Sequence, residues 1–171
     1  MPGIPVVARL DGRSFHTITR GMARPFDAGL AAAMLETTKY LVDQTQATIG
    51  YRQSDEITLL WANQDVDKGL MFDGQTQKLL STLAAMASVK FNEQVAIHLP
   101  AHAHKLPVLD CRVMQYPTRE LAASNLYWRE ADATRNSLTM LAHEHYSTKE
   151  LHKAGFAQKH DMLLAINKVL S

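Results

Sequence analysis

The chain has 171 residues, 46% of them hydrophobic and 20% charged, values that are ordinary for a single globular domain with a sizeable core. No apolar run approaches the ~20 residues that span a bilayer, and nothing at the N-terminus resembles a signal peptide, so we expect a cytoplasmic protein without a membrane segment. The one cysteine, Cys111, excludes an internal disulfide, and the net charge of +1 does not by itself indicate a nucleic-acid partner.

The N-terminal part predicts a strand, a helix and a hairpin, in that order. Residues 4–10 are apolar except for Arg9 and predict a buried strand, which runs into the turn-like segment 11–14. Pro25 opens a helical pattern that continues to about Gln46. Residues 48–51 and 57–61 are rich in β-branched and aromatic residues and predict two strands. The polar residues 52–56 connect them.

The rest of the chain predicts a helix, a strand and further helices. A loop containing Asp65, Asp67 and Gly69 precedes an amphipathic helix over 75–95, and the next strand covers 108–115. Helical patterns follow over 119–130, with Thr118 as N-cap, and over 132–145. The order βαββαβ predicts an α+β, ferredoxin-like palm domain: an antiparallel sheet with helices on one face. We expect one domain, 1–171, with a helical extension over about 118–171.

Two carboxylates define the candidate site. Asp11 follows the first strand and Asp55 lies in the hairpin, so both are expected at one edge of the sheet. Two such charges repel each other unless a cation lies between them, and Mg²⁺ prefers oxygen ligands of this kind. Gly12 permits close backbone approach, and the N–H groups of residues 12–16 are able to cradle a triphosphate. The alternative is an ordinary turn and a solvated hairpin.

Four motifs resemble those of the tRNA-His guanylyltransferase family and occur in that family's order. They are Arg-Leu-Asp-Gly-Arg-Ser-Phe-His over 9–16, Gln-Ser-Asp-Glu over 53–56, Asp-Cys-Arg-Val over 110–113 and Trp-Arg-Glu-Ala-Asp over 128–132. Many eukaryotic members carry His-Ile-Asn-Asn after the last motif. Residues 133–137 of this chain are Ala-Thr-Arg-Asn-Ser, which keep only Asn136. In this respect it is more similar to the bacterial and archaeal guanylyltransferase-like branch, which is associated with templated repair of tRNA 5′ ends.

The resemblance implies an enzyme that extends a tRNA 5′ end in the 3′-to-5′ direction. ATP activates the end, and a second nucleotide, typically GTP, then attacks through its 3′-hydroxyl. Two Mg²⁺ ions are expected on Asp11, Asp55 and the Gly12 carbonyl, in a protein that is expected to form a homotetramer. The residues expected around the nucleotide are Gly12, Arg13, Ser14, Phe15, His16, Ser54, Arg24, Asp27 and Lys78, and those with weaker assignments are Arg9, Glu56, Asp110, Asp132 and Asn136.

Other interpretations remain open at this stage. A nucleotide cyclase would share the carboxylates without needing RNA, and a non-catalytic RNA-binding subunit would share only the fold. Trp128 and Arg129 are candidates for stacking on a base, although a tryptophan packed into the core is an equal alternative for Trp128. The eight histidines lack the spacing of a helical zinc motif, so zinc is not expected. Cys111 is expected to be a small buried apolar group.

Overall fold

The computed structural model describes residues 4–62 and 70–168. Within these ranges the strands form one antiparallel sheet in the order β2-β3-β1-β4. Their bounds are β1 Val6–Gly12, β2 Ile49–Gln53, β3 Glu56–Trp61 and β4 Leu109–Gln115. The first strand therefore lies inside the sheet, between β3 and β4. The predicted α+β architecture is confirmed, and the predicted loop with Asp65, Asp67 and Gly69 lies outside the described residues.

The helices are placed by apolar stripes that match the inward face of the sheet. Their bounds are α1 Phe15–Ile18, α2 Ala28–Thr45, α3 Thr76–His98, α4 Arg119–His145 and α5 Phe156–Ala165, with 3-10 turns at Met71–Gly74 and Pro100–Lys105. Alternate residues of β1 and β3 pack against α2 and α3. The core includes Ala8, Leu10, Ile57, Leu59, Met34, Leu41, Leu83 and Phe91. No helix in the described ranges is long and apolar enough to cross a membrane.

Helix α4 packs on the opposite face of the sheet. Ala122 near its start contacts Val7 and Leu60 in a second small apolar cluster. The far half of α4 packs against α5 through a third cluster that includes Leu138 and Leu163. The face of the sheet that carries Val7 and every second residue from it along β1 is therefore partly covered by α4.

Helix α4 runs without interruption, so the predicted division into helices over 119–130 and 132–145 is wrong. Ala131 between the two predicted segments is a strong helix former, and nothing there breaks the hydrogen-bond ladder. The predicted N-cap is confirmed, since the Thr118 side chain accepts a hydrogen bond from the Leu121 N–H at 3.3 Å.

The strands reach further toward the candidate site than their polar sequence suggests. Asp11 and Gly12 belong to β1, and β2 and β3 extend to Gln53 and Glu56. The predicted connection 52–56 and the predicted turn 11–14 are both too long. Asp11 on β1 has backbone partners on both sides, in β3 and β4, and Gln53 on β2 pairs with Glu56 on β3. The ladder therefore continues where hydropathy alone predicts a loop.

Candidate active site

Acidic side chains form a row across the end of the sheet. Asp11 on β1 lies opposite Asp110 on β4 and opposite Glu56 on β3. Residues directly opposite in antiparallel strands have Cβ atoms only about 4.5–5.5 Å apart. The three carboxyl groups therefore lie on the same face, and their charges repel each other unless cations compensate them.

A row of arginines lies two residues along the strands from the acidic row. Arg9 pairs across the sheet with Arg112, an arrangement that is unfavourable for two like charges alone. Each arginine instead contacts the acidic row: Arg9 Nε lies 3.7 Å from Glu56 Oε2, and Arg112 Nε lies 3.9 Å from Asp110 Oδ1. The described structure shows no comparable arginine contact for Asp11.

Asp55 occupies the two-residue turn between β2 and β3, together with Ser54, whose φ of 48° is left-handed. The Asp55 carbonyl oxygen accepts a hydrogen bond from the Gly12 N–H at 3.2 Å, which connects this turn to the end of β1. Burial raises the pKa of the Asp55 carboxyl and the charge of Asp11 raises it further, against hydrogen bonds from its own backbone and Ser54. The structure therefore brings Asp11 and Asp55, remote in sequence, within electrostatic reach of each other.

The chemistry of this pair is compatible with a divalent cation. Burial is the main cause of the raised Asp55 pKa and the charge of Asp11 adds to it; a cation between the two carboxylates would oppose both effects. Mg²⁺ in phosphoryl-transfer sites is held by one or two carboxylates plus substrate phosphates, so this pair and a carbonyl are a sufficient protein ligand set. The described residues contain no group of three or more histidine, cysteine or acidic side chains arranged to hold a metal. The expected Mg²⁺ site accordingly stays a prediction.

The backbone amides after β1 form a smaller set than the predicted one. The Gly12 N–H donates to Asp55, and the Arg13 N–H donates to the Val108 carbonyl at 2.9 Å. These two groups are occupied, so the prediction that all the amides of 12–16 face a phosphate needs correction. Ser14 has a left-handed φ of 52°, and the N–H groups of 14–16 have no acceptor among the described residues. This short nest is the part that remains open to an anion.

Phe15 and Gly12 fit together behind the nest. The Phe15 side chain is 6% exposed, and its ring lies 5.7 Å from that of Phe91. A Cβ atom at Gly12 would lie only 2.1 Å from the nearest ring carbon of Phe15. Glycine is therefore required by the close approach of this ring. Of the predicted nucleotide-binding residues, Phe15 offers only its backbone, whereas Arg13, Ser14 and His16 have exposed side chains.

Lys105 supports the segment that follows the nest. Its Nζ lies 2.8 Å from the carbonyl oxygen of Ile18 and 3.1 Å from that of Arg20, with Thr17 at 3.5 Å. Cations are favourable at the carbonyl end of a helical turn, and these carbonyls are otherwise orphaned. No sequence signal reveals this contact, because Lys105 is 87 residues away from Ile18 in the chain.

The other residues predicted to bind the nucleotide, Asp27, Arg24 and Lys78, lie in different environments. Asp27 is the N-cap of α2, where its carboxylate accepts from the Leu30 and Ala23 N–H groups, each at 3.0 Å. These two hydrogen bonds lower the pKa of Asp27, and the one from Leu30 has the larger effect. Helix capping therefore explains this aspartate without a bound nucleotide. Arg24 and Lys78 are exposed, and Lys78 lies 6.0 Å from the ring centre of Phe72. Their roles at a nucleotide remain predictions.

Arg129 contacts an acidic side chain of the sheet, whereas the sequence made it a candidate for stacking on a base. Its side chain is 18% exposed, and its Nε lies 2.9 Å from Glu56 Oε1, so it is not available to stack on a base. Asp132 accepts from the Arg129 guanidinium, and Asn136 Nδ2 lies 3.4 Å from Asp132. Trp128 is 71% exposed, which excludes the alternative that it packs into the core.

Cys111 and two surface grooves complete the surroundings. Cys111 packs against the main core but is only partly buried, not fully buried as predicted, and burial raises the pKa of its thiol to about 12. Grooves of about 420 and 240 Å³ lie along α4 and are lined by residues such as Tyr127 and Glu130, but neither includes Asp11 or Asp55. The candidate site is therefore an open end of the sheet, defined by its charges and amides.

Comparison with known proteins agrees with this fold. The family model described as tRNAHis guanylyltransferase matches residues 1–117. The chain belongs to the tRNA-His guanylyltransferase family.

Individual relatives support this membership. A bacterial guanylyltransferase-like protein solved in complex with ATP is 35% identical with a TM-score of 0.92, over 99% of this chain and 74% of that one. A bacterial protein of the same description in complex with GTP is 38% identical with a TM-score of 0.80, over 86% and 71%. The tRNA(His) guanylyltransferase of Debaryomyces hansenii is 27% identical over 144 residues, 81% of this chain and 53% of that protein. The chain spans about half the length of the curated relatives it matches.

Proposed function

We propose that this chain catalyses Mg²⁺-dependent addition of a nucleotide to the 5′ end of a tRNA, after activation of that end by ATP. The observation that carries the proposal is the convergence of Asp11 and Asp55 beside the open amides of 14–16. Family membership and the ATP and GTP complexes of the bacterial relatives support the same assignment.

Each part of the site has a distinct task in this reaction. Asp11, Asp55 and the Gly12 carbonyl would hold two Mg²⁺ ions, which in such sites activate the attacking oxygen and stabilise the leaving one. The amides of 14–16 would bind phosphate oxygens, for which fixed N–H donors suit the negative charge. The exposed Lys78 and Arg24 would add positive charge along the polyphosphate, and the Ser54 hydroxyl would exchange its hydrogen bond to Asp55 for one to a phosphate oxygen.

The nucleotide that is added distinguishes two branches of the family. Residues 133–137 do not carry the His-Ile-Asn-Asn of many eukaryotic members, so we propose templated repair of truncated 5′ ends rather than strict addition of GTP to tRNA-His. A homotetramer in the cytoplasm is part of the same proposal. Sedimentation equilibrium of the purified protein tests the assembly, and a monomer at all concentrations would contradict it.

The direct test supplies 5′-monophosphorylated tRNA that lacks its first residue, labelled ATP and Mg²⁺, then each of the four nucleoside triphosphates in turn. We expect an adenylylated 5′ end, followed by extension with the nucleotide complementary to the template position. Extension by GTP alone, whatever the template, would contradict templated repair. Cyclic nucleotide with unchanged RNA would instead identify a cyclase, and RNA binding without any transfer would identify a non-catalytic subunit.

The carboxylate assignment is tested separately by Asp55→Ala. We expect transfer to be abolished while tRNA binding, measured by gel mobility shift, is retained, because the change removes a ligand and not a phosphate contact. Asp161→Ala is the matched control, since that side chain is 79% exposed on α5. Transfer that survives in Asp55→Ala would remove the metal assignment.

A further inference from the structure

A buried charge cluster lies where α4 meets the β2–β3 hairpin. Glu56 is 9% exposed and lies between Arg9 on its own sheet and Arg129 on α4. Burial raises the pKa of its carboxyl, and the guanidinium groups of Arg129 and Arg9 oppose that effect. The position matters because Glu56 directly follows Asp55 in the chain.

Arg129 contacts both residues that flank the turn. On one side its Nε lies 2.9 Å from Glu56. On the other side lies Gln53, whose amide, in the orientation that its neighbours require, accepts from Arg129 Nη2 at 3.3 Å and donates to the Arg129 carbonyl oxygen. Only Ser54 and Asp55 lie between these two contacts. One arginine therefore holds both ends of the turn that carries the proposed metal ligand.

Helix α4 in turn holds Arg129. Asp132, three residues further along the helix, accepts from the Arg129 guanidinium, and Asn136, one turn beyond, contacts Asp132. Residues at this spacing share one helix face, so the charged stripe is aligned with the hairpin over two turns. All three residues lie beyond the range 1–117 that matches the family model.

The cluster is a poor device for stability alone. Glu56 Oε1 and Arg129 Nε are buried and in ion-pair contact, yet neither has a well-aligned hydrogen bond. Buried ion pairs stabilise less than apolar residues of the same shape, because both charges lose their hydration. What a rigid, planar guanidinium supplies instead is a fixed direction to two partners at once.

We propose that Arg129 is a positioning residue that holds the Ser54–Asp55 turn in register with Asp11. The inference rests on the proposed function and extends it to α4. With the guanidinium in place, the turn is fixed at three points: Gln53, Glu56 and the Asp55 carbonyl bound to Gly12. Without it, Glu56 keeps only Arg9 and Gln53 keeps only its hydrogen bond to the Arg129 carbonyl oxygen. The turn is then held less rigidly, and the two carboxylates lose their shared geometry.

Two substitutions separate geometry from charge. Arg129→Met keeps the length of the side chain and removes both guanidinium contacts, to Glu56 and to the Gln53 side-chain oxygen, while the backbone carbonyl of residue 129 still accepts from Gln53. Arg129→Lys keeps a charge for Glu56 but lacks the planar group that also reaches Gln53. We expect kcat of Arg129→Met to fall about 100-fold with little change in the KM for tRNA, as for a misplaced catalytic group. Arg129→Lys should fold as stably as the wild type and still lose most of kcat. Arg135→Met, an exposed change on the same helix, is the control.

A readout independent of turnover is Mn²⁺ binding in the presence of GTP, followed by electron paramagnetic resonance. Loss of a residue that orients metal ligands typically weakens metal binding about 10- to 100-fold, which is our expectation for Arg129→Met. Amide hydrogen exchange at 53–56 should accelerate in the same variant. If Arg129→Met does not fold, Gln53→Leu removes the other contact and is expected to show the same two effects.

Three outcomes decide the matter. Unchanged Mn²⁺ affinity and unchanged exchange at 53–56 in Arg129→Met would overturn the inference even where transfer falls. Full recovery of kcat in Arg129→Lys would overturn it too, since charge alone would then suffice. If the wild type binds Mn²⁺ with an affinity that depends on Arg129 but transfers no nucleotide, the positioning role stands and the proposed reaction fails.

Discussion

Replacing Gly12 by alanine tests the packing that places the open amides beside the carboxylates. The added Cβ would lie 2.1, 2.6 and 2.8 Å from three ring atoms of Phe15, distances at which the ring or the backbone must move. Phe15 has little room to move, because it is 6% exposed and packs against Phe91. Overpacking of a filled core costs about 1–3 kcal/mol, and we expect Gly12→Ala to reduce the free energy of unfolding by that amount.

Urea denaturation followed by circular dichroism measures this change, with the midpoint expected to fall and the slope to stay constant. Gly155→Ala is the matched control, since the nearest atom to a Cβ there is 4.0 Å away and its φ of −72° suits any residue. We expect the control to lie within about 1 kcal/mol of the wild type. Nucleotide transfer should fall in Gly12→Ala alone, because displacement of the Phe15 backbone moves the 14–16 amides.

A double-mutant cycle identifies the cause. Phe15→Leu shortens the side chain that the new methyl group meets, so the double variant should be less destabilised than the sum of the single variants, by about 0.5–3 kcal/mol. Simple additivity of the two changes would refute the steric explanation. Wild-type stability of Gly12→Ala would refute the packing of this segment altogether.

Three further predictions follow from the surroundings of the site. Asp27→Ala should lower the free energy of unfolding by about 1 kcal/mol through loss of the α2 N-cap. Because the folded pKa of Asp27 is lowered, its stabilising contribution is present above the unfolded pKa and is lost as pH falls through the folded pKa. A destabilisation by Asp27→Ala that is equal at acidic and neutral pH would contradict this. Asp55→Asn should abolish transfer yet raise the melting temperature at neutral pH, since the raised folded pKa means that the ionised carboxylate opposes folding as pH rises; a lower melting temperature would contradict this. Lys105→Met should cost about 1–3 kcal/mol in urea denaturation by orphaning the carbonyls after α1, whereas Lys105→Arg should recover part of it.

Some features of this protein could be predicted because they are encoded locally. Helix α2 and strands β1 and β3 have hydrophobic periods that match their structure, and Thr118 caps its helix through a hydrogen bond to a neighbour three residues away. The motifs around Asp11 and Asp55 also identify these residues as candidates from the sequence. In each case the signal lies within a few residues of the feature, where the period of the backbone fixes which side chains share a face.

Boundaries at polar segments were less predictable. Gln53, Glu56 and Asp11 suggest loops by composition, yet they continue the strands because each faces a partner on a neighbouring strand. Sequence hydropathy reports how a side chain interacts with water, whereas a strand end depends on whether another backbone is present to accept its hydrogen bonds. That partner comes from elsewhere in the chain.

The sequence by itself determined the order of the elements, the apolar face of the sheet and the two acidic residues on which the proposed chemistry depends. Only the tertiary structure decided which amides stay open, since Gly12 and Arg13 use theirs on Asp55 and Val108. It also decided that Arg129 holds a hairpin rather than meeting a base. The physical reason is that hydrogen bonds and ion pairs act over a few ångströms in space, and residues brought that close by folding can be any distance apart in sequence.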